Sequence, residues 1–274
     1  MADAAKTWLI TGCTSGFGRA LAERALARGD RVAVTALDET TVADFSARYP
    51  ERALILKLDV TKPDEVRAGL DRAFAAFGRL DVLVNNAGFA IQTSIEDADD
   101  ALVRRMFEVN TFGAIDVTRA ALPRMRAQGA GHIVNFSSVG GRTSGPLVSL
   151  YCASKFAVEG FSLGLAAEVA PFGLKVTVIE PGAYATNFGA SVIRPAPSEA
   201  YRPAAEAMKA MLGTLKEHDP AWAARVIAEV VDAPNPPLQM IIGEDAYVII
   251  EDFNARQRRE MEEWRALSCA ASRP

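Results

Sequence analysis

Histidine and cysteine are scarce in this chain. It has two histidines, His132 and His218, and three cysteines, Cys13, Cys152 and Cys269, among 274 residues. An odd number of thiols set far apart argues against a disulfide framework or a thiolate metal site, and no His/Cys/carboxylate group has ligand spacing. Positive charge is not in excess: Lys and Arg number 30 against 34 Asp and Glu, for a net charge of −4. Nothing therefore points to nucleic acid or to an anionic membrane surface. No apolar run approaches the length that spans a bilayer. Met1 to Lys6 lacks the basic start and apolar core of a secretory signal, so a reduced, cytoplasmic protein is expected. Linkers, repeats and low-complexity tracts are missing too, which makes one domain over residues 1–274 the economical reading.

What is present is alternation. Thr7–Ile10, Arg31–Ala36, Leu54–Leu58, Val82–Val84, His132–Phe136 and Lys175–Ile179 read as short apolar, β-branched strands. Helical stretches separate them, among them Ala20–Arg28 ending at Gly29, Thr61–Phe77 and a long run from Asp99 to Met125. Ala221–Val231, Leu238–Ile242 and Tyr247–Leu267 add a helix, a last strand and a charged amphipathic helix with a solvated face. The alternation predicts an α/β fold, a parallel sheet covered by helices on both faces. Ligands of such sheets bind beyond the carboxyl ends of the strands. The polar residues that end the apolar runs, Thr11, Asp59, Asn85, Asn86, Ser137, Ser138 and Glu180, are expected to converge there.

Two stretches carry chemistry. Strand, glycine-rich turn and helix follow one another at Thr11-Gly12-Cys13-Thr14-Ser15-Gly16-Phe17-Gly18. The glycines permit close approach of backbone to a ligand, and a helix N-terminus offers amides and a positive dipole end to phosphate. The spacing is neither a P-loop nor a hydrolase elbow. Tyr151 and Lys155 are four residues apart, so a helix places them on one face. A cation beside a phenol lowers its pKa, and reaching neutrality from about 10 takes roughly 4 kcal/mol. Such a tyrosine exchanges a proton with an alcohol oxygen near pH 7.

Taken together, Thr11-Gly12-x-x-x-Gly16-x-Gly18, Asp59, Asn86-Ala87-Gly88, Asn110, Ser138, Tyr151-x-x-x-Lys155 and Pro181-Gly182 with Thr186 resemble the short-chain dehydrogenase/reductase family over nearly the whole chain. Within it the chain is similar to single-domain reductases of apolar alcohols and ketones, including hydroxysteroid and retinol dehydrogenases. The resemblance implies a Rossmann-like, doubly wound, three-layer α/β/α fold and a homodimer or homotetramer.

It also implies roles. Gly12, Gly16 and Gly18 would cradle the pyrophosphate of NAD(H) or NADP(H), and Thr14, Ser15 and Phe17 of the same turn would also bind the cofactor. Asp59 and Val60 would hold the adenine, and Asn86, with Ala87 and Gly88, would lie under the adenosine ribose. Tyr151 would be the general acid–base, and Lys155 would hold the nicotinamide ribose and keep the phenol acidic. Ser138 would bind the substrate oxygen, and Asn110 would interrupt its helix and anchor a water linking Lys155 to solvent. Thr186, with backbone near Tyr184, would hold the carboxamide, and Pro181 and Gly182 would also bind the cofactor. In the family an acidic residue at the end of the second strand selects NAD, and an arginine one position later, or a basic residue before the second glycine, selects NADP. Here Ala36, Leu37 and Ser15 stand at those places. Asp38 could reach the ribose and Arg19 could supply a charge, so weak discrimination with NAD slightly favoured is expected.

The irregular stretch 183–218, with Phe188, Val192, Ile193, Tyr201, Met208, Met211 and Leu212, would form a lid over an apolar carbonyl or alcohol substrate. No metal is required. A redox-sensing cofactor-binding regulator is the alternative from another class, and a sugar-nucleotide epimerase or dehydratase would expect a larger C-terminal domain.

Overall fold

Strands form where the β-branched runs are, and they pair in one seven-stranded sheet. The structure is a computed structural model and describes residues 5–272. The two ends of the expected domain, residues 1–4 and 273–274, lie outside the described residues. The strands are β1 (Thr7–Ile10), β2 (Arg31–Ala36), β3 (Ala53–Lys57), β4 (Val82–Asn85), β5 (Gly131–Phe136), β6 (Leu174–Pro181) and β7 (Gln239–Ile242). Their order is β3-β2-β1-β4-β5-β6-β7, and every neighbouring pair is parallel. This is the doubly wound, Rossmann-like arrangement. The direction of winding reverses between β1 and β4, and that reversal opens a crevice at the strand ends.

The sheet is buried on both faces, and the period of two sorts its side chains. Trp8 and Ile10 of β1, Val32 and Val34 of β2, and Val82 and Val84 of β4 enter one core with Leu21 and Ile227. Leu9, Ala33 and Leu83 enter the other with Leu70, Val117 and Leu165. Helices α1 (Gly16–Ala27), α2 (Asp44–Arg48), α3 (Pro63–Phe77), α4 (Asp100–Phe107), α5 (Ala114–Gln128) and α6 (Ser149–Val169) fill the crossovers. They are followed by α7 (Phe188–Ser191), α8 (Arg202–Leu212), α9 (Pro220–Asp232) and α10 (Glu244–Ala270). Local signals set the helix ends: Pro63 opens α3, and Gly78 closes it at φ +77°.

The expected Asp99–Met125 helix is not continuous. A π-helical turn, Glu108–Gly113, lies between α4 and α5. It buries Asn110 and brings Gly113 so near Val60 that a Cβ there would lie 2.6 Å from the Val60 Cγ2. Beyond Asp252 nearly all of α10 is exposed, a solvated face as its charge pattern suggests.

Candidate active site

Two cavities open over the carboxyl ends of the strands, of about 450 and about 330 Å³, and Asn86, Gly88 and Phe188 line both. The first follows the glycine turn. Gly12 has φ +73° and Gly16 has φ +58°, backbone that glycine adopts without strain. A Cβ on Gly12 would stand 3.1 Å from the Ala87 Cα. Asn86 ties this turn to β4, its Nδ2 donating to the Thr11 and Gly12 carbonyls, both at 2.9 Å. Thr11 Oγ1 in turn accepts the backbone N–H of Asn86 at 2.9 Å and of Ala87 at 3.0 Å. Ser15 precedes α1 without a side-chain cap bond, which leaves the first-turn amides for a ligand. A backbone cradle that any Cβ would fill, at an uncapped helix N-terminus, fits a pyrophosphate.

Leu37, Asp59, Val60 and Arg105 line the far part of this cavity. Asp59 Oδ1 accepts from Thr61 N at 3.0 Å and Thr61 Oγ1 at 2.8 Å. Burial opposes its charge, but these bonds with Lys62 and Arg105 prevail and hold the carboxyl below the usual range. Asp38 does not line the cavity: its carboxylate caps the next turn, accepting Thr40 N at 2.9 Å and Thr40 Oγ1 at 2.7 Å. An aspartate bonding its own backbone two residues on is the local alternative that competes with reaching a ribose. Arg19 is also committed, with Nη2 2.5 Å from Asp44 Oδ2 and its guanidinium 4.9 Å over the Phe45 ring.

The floor where the cavities meet is built by α6 and its neighbours. Ser138, Tyr151 and Lys155 line the second cavity. Lys155 is 5% exposed, and its Nζ donates to the Phe136 carbonyl at 2.8 Å. Burial brings its pKa down to about 8, with Glu159 acting against the fall. The expected drop in the tyrosine pKa is not found. Burial pushes Tyr151 up to about 12, opposed only in part by the Ser138 hydroxyl. Sharing a helix face does not suffice, because the ammonium is engaged with a carbonyl and the phenol has lost water.

Ser138 Oγ accepts the Gly140 N–H at 3.1 Å, which fixes the oxygen beside the Tyr151 hydroxyl. Asn110 lies behind the floor, outside both linings, and donates to Ser154 Oγ at 3.1 Å; Ser154 donates to the Tyr151 carbonyl at 2.7 Å. Gly18 is likewise buried beneath the turn rather than at the cavity.

Pro181, Gly182, Tyr184 and Thr186 reach the second cavity, and Phe17 enters it between Phe136 and Tyr184, at ring-centroid distances of 5.4 and 4.9 Å. Most of the rest of its wall is apolar, with Ile91, Val148, Phe188, Val192, Leu212, Leu215 and Ile249, and Gln92, Arg194, Glu217 and Asp245 complete it. Phe188 comes within 6.0 Å of Tyr151 between ring centroids. The irregular stretch is pinned at both ends. His218 N donates to the Ala183 carbonyl at 3.0 Å and Ala185 N to the His218 carbonyl at 2.8 Å. Asp245 accepts Ala183 N at 2.7 Å and lies 3.3 Å from His218 Nε2.

Three of the polar strand ends, Thr11, Asn85 and Glu180, line neither cavity. Asn85 turns inward, donating to Thr118 Oγ1 and Asn135 Oδ1, both at 2.8 Å. Glu180 is fully buried against Arg142, whereas Ser137 lines the second cavity beside Ser138, its Oγ buried without a partner. Alternation along a strand explains the inward turn of Asn85, since adjacent residues point to opposite faces. The sequence reading passed over Arg105, Asp245, Glu159 and Arg142, whose partners lie far away along the chain and leave no local pattern.

A family model described as short chain dehydrogenase matches residues 6–196. The oxidoreductase BOA17 of Botryotinia fuckeliana is 37% identical over 273 residues, covering 97% of this chain and 99% of the relative. A crystal structure of a short-chain dehydrogenase from Streptomyces avermitilis superposes with a TM-score of 0.93 at 40% identity, over 99% of this chain and 100% of that one. The 3-ketoacyl-(acyl-carrier-protein) reductase of Brucella melitensis complexed with NADH is 26% identical at a TM-score of 0.75, over 86% of this chain and 96% of that one.

Proposed function

The chain belongs to the short-chain dehydrogenase/reductase family, and from that premise we propose that it is an NAD(P)-dependent oxidoreductase interconverting an apolar ketone and its secondary alcohol. The observation that carries this is the meeting of Ser138, Tyr151 and Lys155 where the glycine-cradled cavity joins the apolar one. The first cavity takes the dinucleotide, with Gly12, Thr14, Ser15 and Gly16 at the pyrophosphate and Asp59 and Val60 at the adenine. Bound there, the nicotinamide supplies or accepts the hydride. Ser138 donates a hydrogen bond to the carbonyl oxygen as negative charge grows on it, and Tyr151 delivers the proton. Lys155 keeps two donors beyond its bond to Phe136, and these would hold the hydroxyls of the nicotinamide ribose. The proton that Tyr151 gives up is replaced by way of Lys155.

Stretch 183–218 serves as the substrate lid, and its apolar wall favours hydrophobic ketones, each added buried methylene contributing about 0.8 kcal/mol. The 3-ketoacyl substrate and NADH of the Brucella melitensis relative agree with a ketone and a nicotinamide cofactor. NAD is favoured over NADP, with weak discrimination, because Ala36 and Leu37 offer no charge and Arg19 is held by Asp44. A redox sensor needs only the dinucleotide half, so the apolar second cavity speaks for turnover. The test is a panel of ketones and secondary alcohols followed at the nicotinamide absorbance with both cofactors. Turnover of hydrophobic ketones is expected; activity only on charged or sugar-like substrates would overturn the substrate reading, and none on any would overturn the enzyme reading.

A further inference from the structure

Two glutamates meet behind the wall that carries Ser138 and Lys155. Glu180 precedes Pro181 at the end of β6 and has no exposed surface. Arg142, four residues beyond Ser138, reaches it with Nη1 3.0 Å from Oε1 and 3.3 Å from Oε2. Glu159, one turn past Lys155 on α6, is 5% exposed and comes within hydrogen-bonding reach of Glu180. Its Oε2 accepts from Gln239 Nε2 at 2.9 Å, whereas Oε1 meets no donor among the described residues. Gly141 passes so close that a Cβ there would lie 3.1 Å from Glu159 Oε1 and overlap Ser137 Oγ. The cluster thus joins three segments: the loop bearing Ser138, the helix bearing Tyr151 and Lys155, and the strand end leading into Pro181.

Two bare carboxylates side by side in a dry site are disfavoured both by lost hydration and by mutual repulsion. Burial, followed by Glu159, pushes Glu180 up to about 7, with Arg142 pulling the other way. The charged groups facing the pair are Arg142 from the loop after β5 and Lys155 from α6, whose cationic form Glu159 favours. Gln239 of β7 and Ser137 face it as neutral groups, and Asp245 of α10 stands further out, against Gly182.

We propose that Glu159 and Glu180 hold one proton between them and, with Arg142, form a positioning device that aligns Ser138, Lys155 and Pro181 for the reaction proposed above, an alignment that loosens when the proton leaves. Only a proton moves in this step. Its departure leaves two negative charges sharing one guanidinium, and the repulsion acts on all three segments at once. Glu159 and Glu180 touch neither cavity, so they act through Ser138 and Lys155.

Glu180→Gln keeps the shape and hydrogen-bonding capacity of the protonated form without its titration. For ketone reduction, the ratio of kcat at about pH 6 to kcat at about pH 8 is expected to be about threefold larger in wild type than in the variant, with KM for substrate little changed. Infrared difference spectra of the cofactor-free proteins give a readout that needs no activity. Wild type should show a protonated buried carboxyl stretch that disappears between about pH 6 and about pH 8, and Glu180→Gln should lack it. Glu159→Gln, which leaves a single buried carboxyl, should shift that transition and replaces Glu180→Gln in both comparisons if the latter does not fold. Absence of a titrating carboxyl band in wild type overturns the shared proton. Equal kcat ratios in wild type and variant overturn the positioning role. If no substrate in the panel turns over, the enzyme reading fails, while the carboxyl band still decides for or against the shared proton.

Discussion

Asn110 clasps Phe89 at two points: its Oδ1 accepts the Phe89 N–H at 2.9 Å and its Nδ2 donates to the Phe89 carbonyl at 2.9 Å. Through Ser154 the same side chain reaches α6, so the loop after β4 and the helix bearing Tyr151 are fixed to one buried amide. The π-helical turn brings it there. Asn110→Ala strands two backbone groups and should destabilise the fold by about 2–4 kcal/mol, with loss of turnover. Urea unfolding measures this; a change within about 0.5 kcal/mol would mean that the clasp is not structural.

Tyr151→Phe removes the transferable proton and keeps the ring. Turnover should drop by roughly 10²–10⁴-fold with cofactor affinity little altered. Lys155→Ala should weaken both, because the proposal gives the amine two roles, holding the nicotinamide ribose and returning a proton to Tyr151. Steady-state rates with cofactor titration separate the two, and near wild-type turnover of Tyr151→Phe would refute the acid–base assignment.

Gly18→Ala tests the cradle from beneath. The new Cβ would lie 2.5 Å from Asn86 Nδ2 and inside contact with the Gly12 carbonyl oxygen, neither of which can yield without moving the turn. A stability loss of about 1–3 kcal/mol is expected, together with weaker dinucleotide binding. Gly160→Ala is the control: it lies within α6 with nothing within 4 Å of an added Cβ, so it should stabilise by about 0.5–1 kcal/mol. Calorimetric binding and thermal melts report both variants, and unaltered dinucleotide binding by Gly18→Ala would rule out this view of the turn.

Leu37→Arg places a guanidinium on the wall of the first cavity, where Leu37 is now 62% exposed. Preference should move toward NADP by about 1–3 kcal/mol, the worth of a charge-assisted contact. KM values for both cofactors in wild type and variant measure the shift. A wild type that already prefers NADP a hundredfold or so would direct attention to Arg105 of the same cavity.

His132 makes stability depend on pH. It is 4% exposed, its Nε2 lies 2.9 Å from Thr177 Oγ1, and burial, with the Lys175 charge second, brings its pKa from 6.5 down to about 4. The unfolded chain therefore binds a proton that the folded chain refuses. The contribution is complete above pH 6.5 and is lost as pH falls toward about 4, amounting to roughly 3 kcal/mol. Glu180 runs the opposite way: its raised pKa favours the fold at low pH and is lost between 4.5 and about 7. His132→Gln should flatten the acid limb of the stability profile, and denaturant midpoints between about pH 4 and about pH 7 that fall equally in both proteins would contradict this.

Sequence alone determined the sheet and the two ends of the site. Alternation of period two and runs such as Arg31–Ala36 act locally, so strands, crossovers and the cradle of Gly12 and Gly16 were legible residue by residue. The Tyr151–Lys155 spacing was equally local, yet what it implied about acidity was not. Whether an ammonium meets a phenol or the Phe136 carbonyl depends on burial and on a partner from another strand. Tertiary structure alone sent Asn85 inward, joined Glu159 of α6 to Glu180 of β6, and pinned both ends of stretch 183–218 with Asp245. Propensity and periodicity are properties of neighbours along the chain. Hydration and the choice of a charged partner are properties of neighbours in space, and no sequence window contains both members of such a pair.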